Sequence, residues 1–131
     1  MSIINCRTVE SAPVVFNFET ALMSSHHDLA IAKSLFDDFR VCVLEERQVL
    51  LQSIAQIPLD REALRKRVHR LKSSAGFVGA DRVSQAAAAL QEHLLMSDSS
   101  GSTEPVLWAL IDAMQEFLGI SSFENAFKLT Q

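Results

Sequence analysis

The sequence predicts an all-α protein, an antiparallel up-down four-helix bundle with a short N-terminal lid helix. Four segments carry apolar residues at helical spacing, and short breaks separate them. The 131 residues include only four Gly, three Pro and no Tyr, which is a poor composition for a fold with many turns. No alternation of apolar and polar residues continues beyond a few positions, so strands are not expected.

The first two helices are predicted before residue 56. Residues 16–23 favour a short helix that covers one end of the bundle. Ser25 is predicted to cap the next helix, since Asp28 lies three positions later and completes a capping box. That helix is expected to run to about Ala55. Its apolar face consists of Ala32, Leu35, Phe36, Phe39, Val43, Leu50 and Ile54.

Three more helices are predicted after Asp60, which is a suitable N-cap. A break at Gly79 separates the first from the second, and a flexible loop over residues 97–103 separates the second from the third. Pro105 lies in the first turn of the last helix, and Gly119 ends it. The three inward faces are Leu64, Val68, Leu71, Ala75 and Val78; then Val83, Ala87, Leu90 and Leu94; then Leu107, Leu110, Met114, Phe117 and Leu118.

The length is right for one domain with one core, so residues 1–131 are interpreted as a single domain. Its core is expected at about 15–120, after a loose N-terminal segment over 1–12. Phe123 and Phe127 are expected to pack back onto the bundle. The short ends on either side of the bundle favour a free-standing protein.

Composition excludes several classes of protein. With 12 Lys plus Arg against 16 Asp plus Glu, the net charge of −4 argues against a general nucleic-acid-binding protein. No apolar run approaches the ~18 residues that a membrane-spanning helix needs. The two cysteines lack metal-type spacing, and the N-terminus lacks the pattern of a signal peptide. We therefore predict a cytoplasmic protein.

One segment departs from this acidic average, because six of the twelve basic residues lie between Arg61 and Lys72. On a helical wheel with His69 at 0°, Lys72, Ser73 and Gly76 lie within about 60° of it, at about 100° per residue. The apolar stripe lies on the opposite side. His69 is therefore predicted to be exposed, beside a lysine and two small residues that allow another protein to come close.

An exposed imidazole suits phosphoryl transfer. A neutral ring nitrogen is a nucleophile at physiological pH, provided that a hydrogen bond at the other nitrogen fixes the tautomer. Attack on phosphorus would give a phosphohistidine. The ammonium of Lys72 would stabilise the charge of the phosphoryl oxygens.

The segment from His69 to Ala80, His-Arg-Leu-Lys-Ser-Ser-Ala-Gly-Phe-Val-Gly-Ala, resembles the signature of the histidine-containing phosphotransfer (HPt) domain of multistep phosphorelays. The resemblance implies that His69 is the phosphoacceptor, with Lys72 beside it. It also implies that Gln91, on the following helix, hydrogen-bonds the histidine ring. The position after the lysine is most often Gly in this family, and here it is Ser73.

The resemblance implies a phosphocarrier without ATP-dependent kinase activity. Its partners would be the receiver domains of a hybrid sensor kinase and of a response regulator, with any Mg²⁺ supplied by the receiver. The chain itself is expected to need no cofactor, and to be a monomer because one face must stay free for docking. The candidate docking residues are Arg65, Lys66, Arg70, Ser73, Gly76 and Arg82.

Other functions are weighed against this one. A non-catalytic helical adaptor that sequesters a receiver or kinase domain is the main alternative. The basic segment lacks the aromatic residues of a nucleic-acid surface, and no Asp or Glu precedes a His by three residues, as a di-iron bundle requires. His26 and His27 are predicted to be capping or surface residues, and His93 is predicted to lie outside the site.

Overall fold

The computed structural model describes residues 13–56, 58–96 and 102–129, and these are helical without a strand. The helices are α1 (Phe18–Ser24), α2 (Leu29–Ile54), α3 (Arg61–Val78), α4 (Asp81–Leu95), α5 (Glu104–Leu118) and α6 (Phe123–Leu129). The predicted fold class is confirmed. The segment over 1–12 and most of the predicted loop, residues 97–101, lie outside the described residues.

Helices α2 to α5 form the four-helix bundle. Each packs on the next along the chain, and α5 closes the ring against α2. The predicted inward faces supply the core, where burial of a large apolar side chain contributes about 1.5–3 kcal/mol. The large apolar side chains that are completely enclosed are Phe36, Val43, Leu50, Val68, Val83, Leu90, Leu107, Leu110, Met114 and Phe117.

The start of α2 differs from the prediction. Asp28, not Ser25, is its N-cap, and the carboxylate accepts hydrogen bonds from two backbone N–H groups of the first turn at 2.9 and 3.2 Å. The hydroxyl of Ser25 is buried and lies 2.8 and 3.1 Å from carbonyl oxygens in the last turn of α1. Between the two helices, His26 and His27 adopt positive φ angles of 56° and 63°. This left-handed pair reverses the chain, so the cap falls three residues later than predicted.

The break between α3 and α4 is at Gly79, as predicted. Gly79 has a φ of 92°, and a Cβ at this position would lie 2.4 Å from the carbonyl oxygen of Asn17. The backbone N–H of Asn17 donates to the Gly79 carbonyl at 2.7 Å, and its side-chain amide donates to Asp81 at 3.1 Å. The residues that precede α1 therefore hold the turn from outside, and only glycine fits there.

An aromatic cluster closes the end of the bundle where α1 and α6 pack. The rings of Phe123 and Phe127 contact Phe18 with centroids 5.6 and 4.7 Å apart, so the predicted return of the tail is confirmed. That the tail is helical was not predicted. The cluster contains seven of the eight phenylalanines, namely Phe16, Phe18, Phe36, Phe39, Phe117, Phe123 and Phe127. The eighth, Phe77, lies exposed on α3.

Candidate functional site

His69 lies on the exposed face of α3. Its neighbours in sequence on the other side of the helix, Val68 and Leu71, are 1% and 3% exposed. Gln91 of α4 comes alongside, with its amide nitrogen Nε2 3.0 Å from the ring nitrogen Nδ1 of His69. The second ring nitrogen, Nε2, has no hydrogen-bond partner among the described residues. The imidazole is thus held at one nitrogen and open at the other.

The Gln91 amide can fix either tautomer of the ring. If its nitrogen donates to Nδ1 of His69, the neutral ring carries its proton on Nε2. A half-turn of the amide places Oε1 there, and Nδ1–H then donates to it while Nε2 keeps a free lone pair. Only this second arrangement leaves a nucleophile at the exposed nitrogen. Gln91 is able to provide it because one side chain carries both a donor and an acceptor.

Lys72 lies one turn after His69 on α3 and is half-buried. Its ammonium has no hydrogen-bond or ion-pair partner in the part of the chain that the structure describes. The side chain borders a shallow groove of about 450 Å³ between α3 and α4, which Gln91 also lines. The free ammonium is therefore on the same side of His69 as the amide.

The two small residues of the predicted strip have different surroundings. Ser73 is exposed, as expected. Gly76 is half-buried, and a Cβ on it would lie 3.4 Å from the Oγ of Ser84 on α4. The prediction placed Gly76 on an open docking face. In the structure it lies at the contact between two helices, where a Cβ would be in ordinary van der Waals contact.

The basic residues of α3 divide into two groups. Arg61 donates to carbonyl oxygens at the end of α4, and Arg67 forms an ion pair of 2.7 Å with Glu46 of α2. Arg65 is bound to Glu62 at 2.7 Å. The remaining three, Lys66, Arg70 and Lys72, have no such partner among the described residues. Half of the positive charge counted in this segment is therefore engaged within the fold.

Arg82, the remaining candidate for docking, is also engaged. Its guanidinium lies 3.0 Å from the carboxylate of Glu116 and 3.1 Å from the carbonyl oxygen of Pro13. Its backbone N–H donates to the carbonyl of Val14 at 2.9 Å. Arg82 therefore ties the residues before α1 and the helix α5 to the start of α4.

One ion pair and the burial of a thiol shift pKa values on α2 and α3. The hydrogen bond from Arg65 lowers the pKa of the exposed Glu62 carboxyl below its usual 4.5, and raises the pKa of Arg65 itself. On α2, burial raises the pKa of the half-buried Cys42 thiol, with a further contribution from the negative charges of Glu46 and Glu45. Cys42 is therefore held as the unreactive thiol.

An apolar groove on the other side of His69 was not predicted. It has a volume of about 450 Å³ and lies between α2 and α3. Phe77, 52% exposed, forms one wall. The signal was available, because Phe77 falls about 80° from His69 on the helical wheel and outside the core stripe. The groove is lined by Leu35, Asp38, Phe39, Cys42, Ser73, Ser74, Phe77 and Val78.

The other three histidines lie apart from His69. His93 is half-buried, and its Nε2 contacts the hydroxyl of Thr103 at 3.0 Å. His26 and His27 are exposed in the turn before α2. Over the described ranges, no three His, Cys, Asp or Glu side chains are grouped so as to hold a metal ion. None of the described helices has the length and apolarity to cross a membrane.

Comparison with known proteins gives one match. The family model described as Hpt domain matches residues 34–119, which include α3, α4 and both His69 and Gln91. Neither the curated proteins nor the solved structures include a significant match.

Proposed function

Because the chain belongs to the Hpt domain family, we propose that it relays phosphoryl groups between receiver domains through a phosphohistidine at His69. Phosphotransfer in two-component signalling is the function of the family. The observation that carries the assignment to His69 is its geometry. The ring is exposed, Gln91 holds Nδ1 at 3.0 Å, and the unpaired ammonium of Lys72 lies one turn away.

The chemistry follows from the free ring nitrogen. The lone pair on Nε2 of His69 attacks the phosphorus of an aspartyl phosphate on the first receiver. The P–N bond forms, the P–O bond to the aspartyl carboxylate breaks, and the carboxylate leaves with the electron pair. The ring keeps its proton on Nδ1 and becomes cationic, so a hydrogen bond from Nδ1–H to the Gln91 oxygen stabilises it. Attack by an aspartate of the second receiver reverses these steps.

Lys72 supports both steps by its charge. The transferring phosphoryl group carries negative oxygens, and an ammonium within reach of them stabilises the transition state. Among the described residues the ammonium of Lys72 has no internal partner that it would have to leave first. Any Mg²⁺ is provided by the acidic residues of the receiver, in keeping with a chain that acts as carrier and not as kinase.

Docking is proposed to use the surface on both sides of His69. The apolar groove with Phe77 offers area for an apolar contact, and Lys66 and Arg70 offer free positive charge to the acidic site of a receiver. Arg65 and Arg82 contribute less, because each already binds a carboxylate. The partners are the receivers of a hybrid sensor kinase and of a response regulator, met by a cytoplasmic monomer.

The test is direct phosphoryl uptake. A receiver domain labelled with ³²P-acetyl phosphate in Mg²⁺ is mixed with the protein, and the label on the protein is followed in acid and in alkali. We expect wild type to take up acid-labile, alkali-stable label, and His69→Gln to take up none. No uptake by wild type, or equal uptake by His69→Gln, would show that the proposal is wrong. A protein that binds the receiver and takes up no label would be the adaptor.

A further inference from the structure

Two of the contacts between α3 and α4 join positions that have the same spacing on both helices. Nε2 of Gln91 lies 3.0 Å from Nδ1 of His69. A Cβ on Gly76 would lie 3.4 Å from Oγ of Ser84. Each pair of positions on one helix is seven residues apart, which is close to two turns. The two contacts therefore belong to one antiparallel register between the helices.

Ser84 also forms a hydrogen bond between the two helices. Its hydroxyl donates to the backbone carbonyl of Lys72 at 3.1 Å, on the opposite helix. In an α-helix that same carbonyl accepts the N–H of residue 76. The hydroxyl thus enters where Gly76 carries no side chain. A Cβ at position 76 would be in van der Waals contact with the Ser84 oxygen, and a longer side chain would push against it and against the bond that it makes.

We propose that Ser84 and Gly76 are positioning residues that set the approach of α4 to α3, and so bring Gln91 to His69. The inference rests on the proposed function only for its consequence in phosphotransfer. Neither residue reaches the reacting atoms. They act through Gln91, which holds the ring at Nδ1.

The length of α4 allows a change at Ser84 to act on Gln91 from a distance. Ser84 lies three residues from the start of the helix at Asp81, and Gln91 lies ten residues from it. At 1.5 Å per residue these distances are about 4.5 and 15 Å. A small rotation of α4 about the α3–α4 turn therefore displaces Gln91 roughly three times as far as Ser84. A loosening of a few tenths of an ångström at Ser84 is enough to break a 3.0 Å contact at Gln91.

The measurement is the tautomer of the His69 ring. The ¹⁵N chemical shifts of Nδ1 and Nε2 are recorded at about pH 8.5, where imidazole side chains are neutral. Gln91→Leu defines the shifts of a ring without its partner. We expect Ser84→Ala and Gly76→Leu to move the shifts from the wild-type values toward those of Gln91→Leu. Ser84→Thr, which keeps the hydroxyl, should stay near wild type.

Two controls separate this role from general stability. Ser53→Ala removes a matched hydroxyl, because Ser53 donates to the Val49 carbonyl at 3.0 Å within α2. It should leave the His69 shifts unchanged. The double variant Gly76→Leu/Ser84→Gly gives back part of the space between the helices without the hydrogen bond, and should fall between wild type and Gly76→Leu.

Phosphotransfer gives the second readout. Ser84→Ala should slow uptake by about threefold, since small misplacements of catalytic groups already reduce rates, and Ser53→Ala should leave the rate as in wild type. Wild-type His69 shifts in Ser84→Ala, with altered shifts in Gln91→Leu, would overturn the proposal. So would unchanged shifts in Gln91→Leu, because there would be no pair to position. The ring shifts need no phosphotransfer, so failure of label uptake in wild type contradicts only the proposed function.

Discussion

Two histidines of this protein have a polar partner at 3.0 Å, and α4 contributes to both contacts. At one, the ring of His69 meets the amide of Gln91 on the exposed face. At the other, the half-buried ring of His93 meets the hydroxyl of Thr103. A hydrogen-bonded imidazole is therefore not in itself a sign of a reactive one. What differs is the exposure of the ring and the state of the cation beside it.

The cations near these two rings are engaged differently. Arg61 donates to Thr103 and to the carbonyl oxygens of His93, Leu94 and Met96, so its charge lies at the C-terminal end of α4, where the helix dipole is negative. Lys72 has no partner over the described ranges. One cation completes a helix end, and the other is available to an incoming anion.

The largest expected effect separates the two histidines. His93→Gln should keep label uptake from a phosphorylated receiver, whereas His69→Gln loses it altogether. His93→Gln should lower the free energy of unfolding by about 1 kcal/mol, because a partly buried hydrogen bond is lost. Urea denaturation and the ³²P assay measure the two quantities. If His93→Gln folded but took up no label, the expected difference between the two histidines would be wrong.

Next comes the free cation. Lys72→Ala should slow phosphoryl uptake by roughly 10- to 100-fold, because the transition state loses a charge that faces the phosphoryl oxygens. The matched control is Arg65→Ala on the same helix, whose guanidinium is bound to Glu62. It should slow uptake by no more than about twofold. Single-turnover kinetics with a labelled receiver measure both rates of uptake. Equal losses of rate in the two variants would contradict the prediction.

A smaller effect, on stability, is expected at the engaged cation. Arg61→Ala should lower the free energy of unfolding by about 2 kcal/mol, since hydrogen bonds from a charged donor to the end of α4 are lost. Arg70→Ala, which removes an exposed arginine without a described partner, should change it by less than about 0.5 kcal/mol. Urea denaturation followed by circular dichroism gives both values. A similar loss in the two variants would mean that the carbonyl contacts of Arg61 do not stabilise the fold.

The smallest effect concerns pH. The pKa of Glu62 is lowered in the folded protein by the hydrogen bond from Arg65. Because the folded pKa lies below the unfolded one, the contribution is present above pH 4.5 and disappears as pH falls through the lowered pKa. Glu62→Gln should therefore be slightly less stable than wild type at pH 7, and the difference should vanish in acid. A difference that grows toward low pH would have the wrong sign.

The bundle could be predicted because burial depends on periodicity. The spacing of Leu64, Val68 and Leu71 placed them in the core, and the same geometry placed His69 outside. The Gly79 break and the Asp60 cap are local signals, and both are found in the structure. These features depend on residues a few positions apart, which a sequence shows directly.

The features that were missed depend on distant residues. Arg67 meets Glu46 across 21 positions, and Arg61 meets the end of α4 across more than thirty. No local pattern predicts such pairs, so the prediction counted the six basic residues together, without separating those that bind within the fold. The cap of α2 was wrong for a related reason. Ser25 and Asp28 are both good caps, and the left-handed turn that decides between them is hydrogen-bonded to the last turn of α1.

The hold of residues 13–17 on the α3–α4 turn has a mechanical consequence. Asn17 and Val14 are bonded by backbone hydrogen bonds to Gly79 and Arg82, on either side of the turn. A force that pulls on residues 13–17 therefore acts on the turn that joins the two helices carrying His69 and Gln91. A pull on the chain before α1 reaches the turn beside the proposed phosphorylation site through two peptide groups.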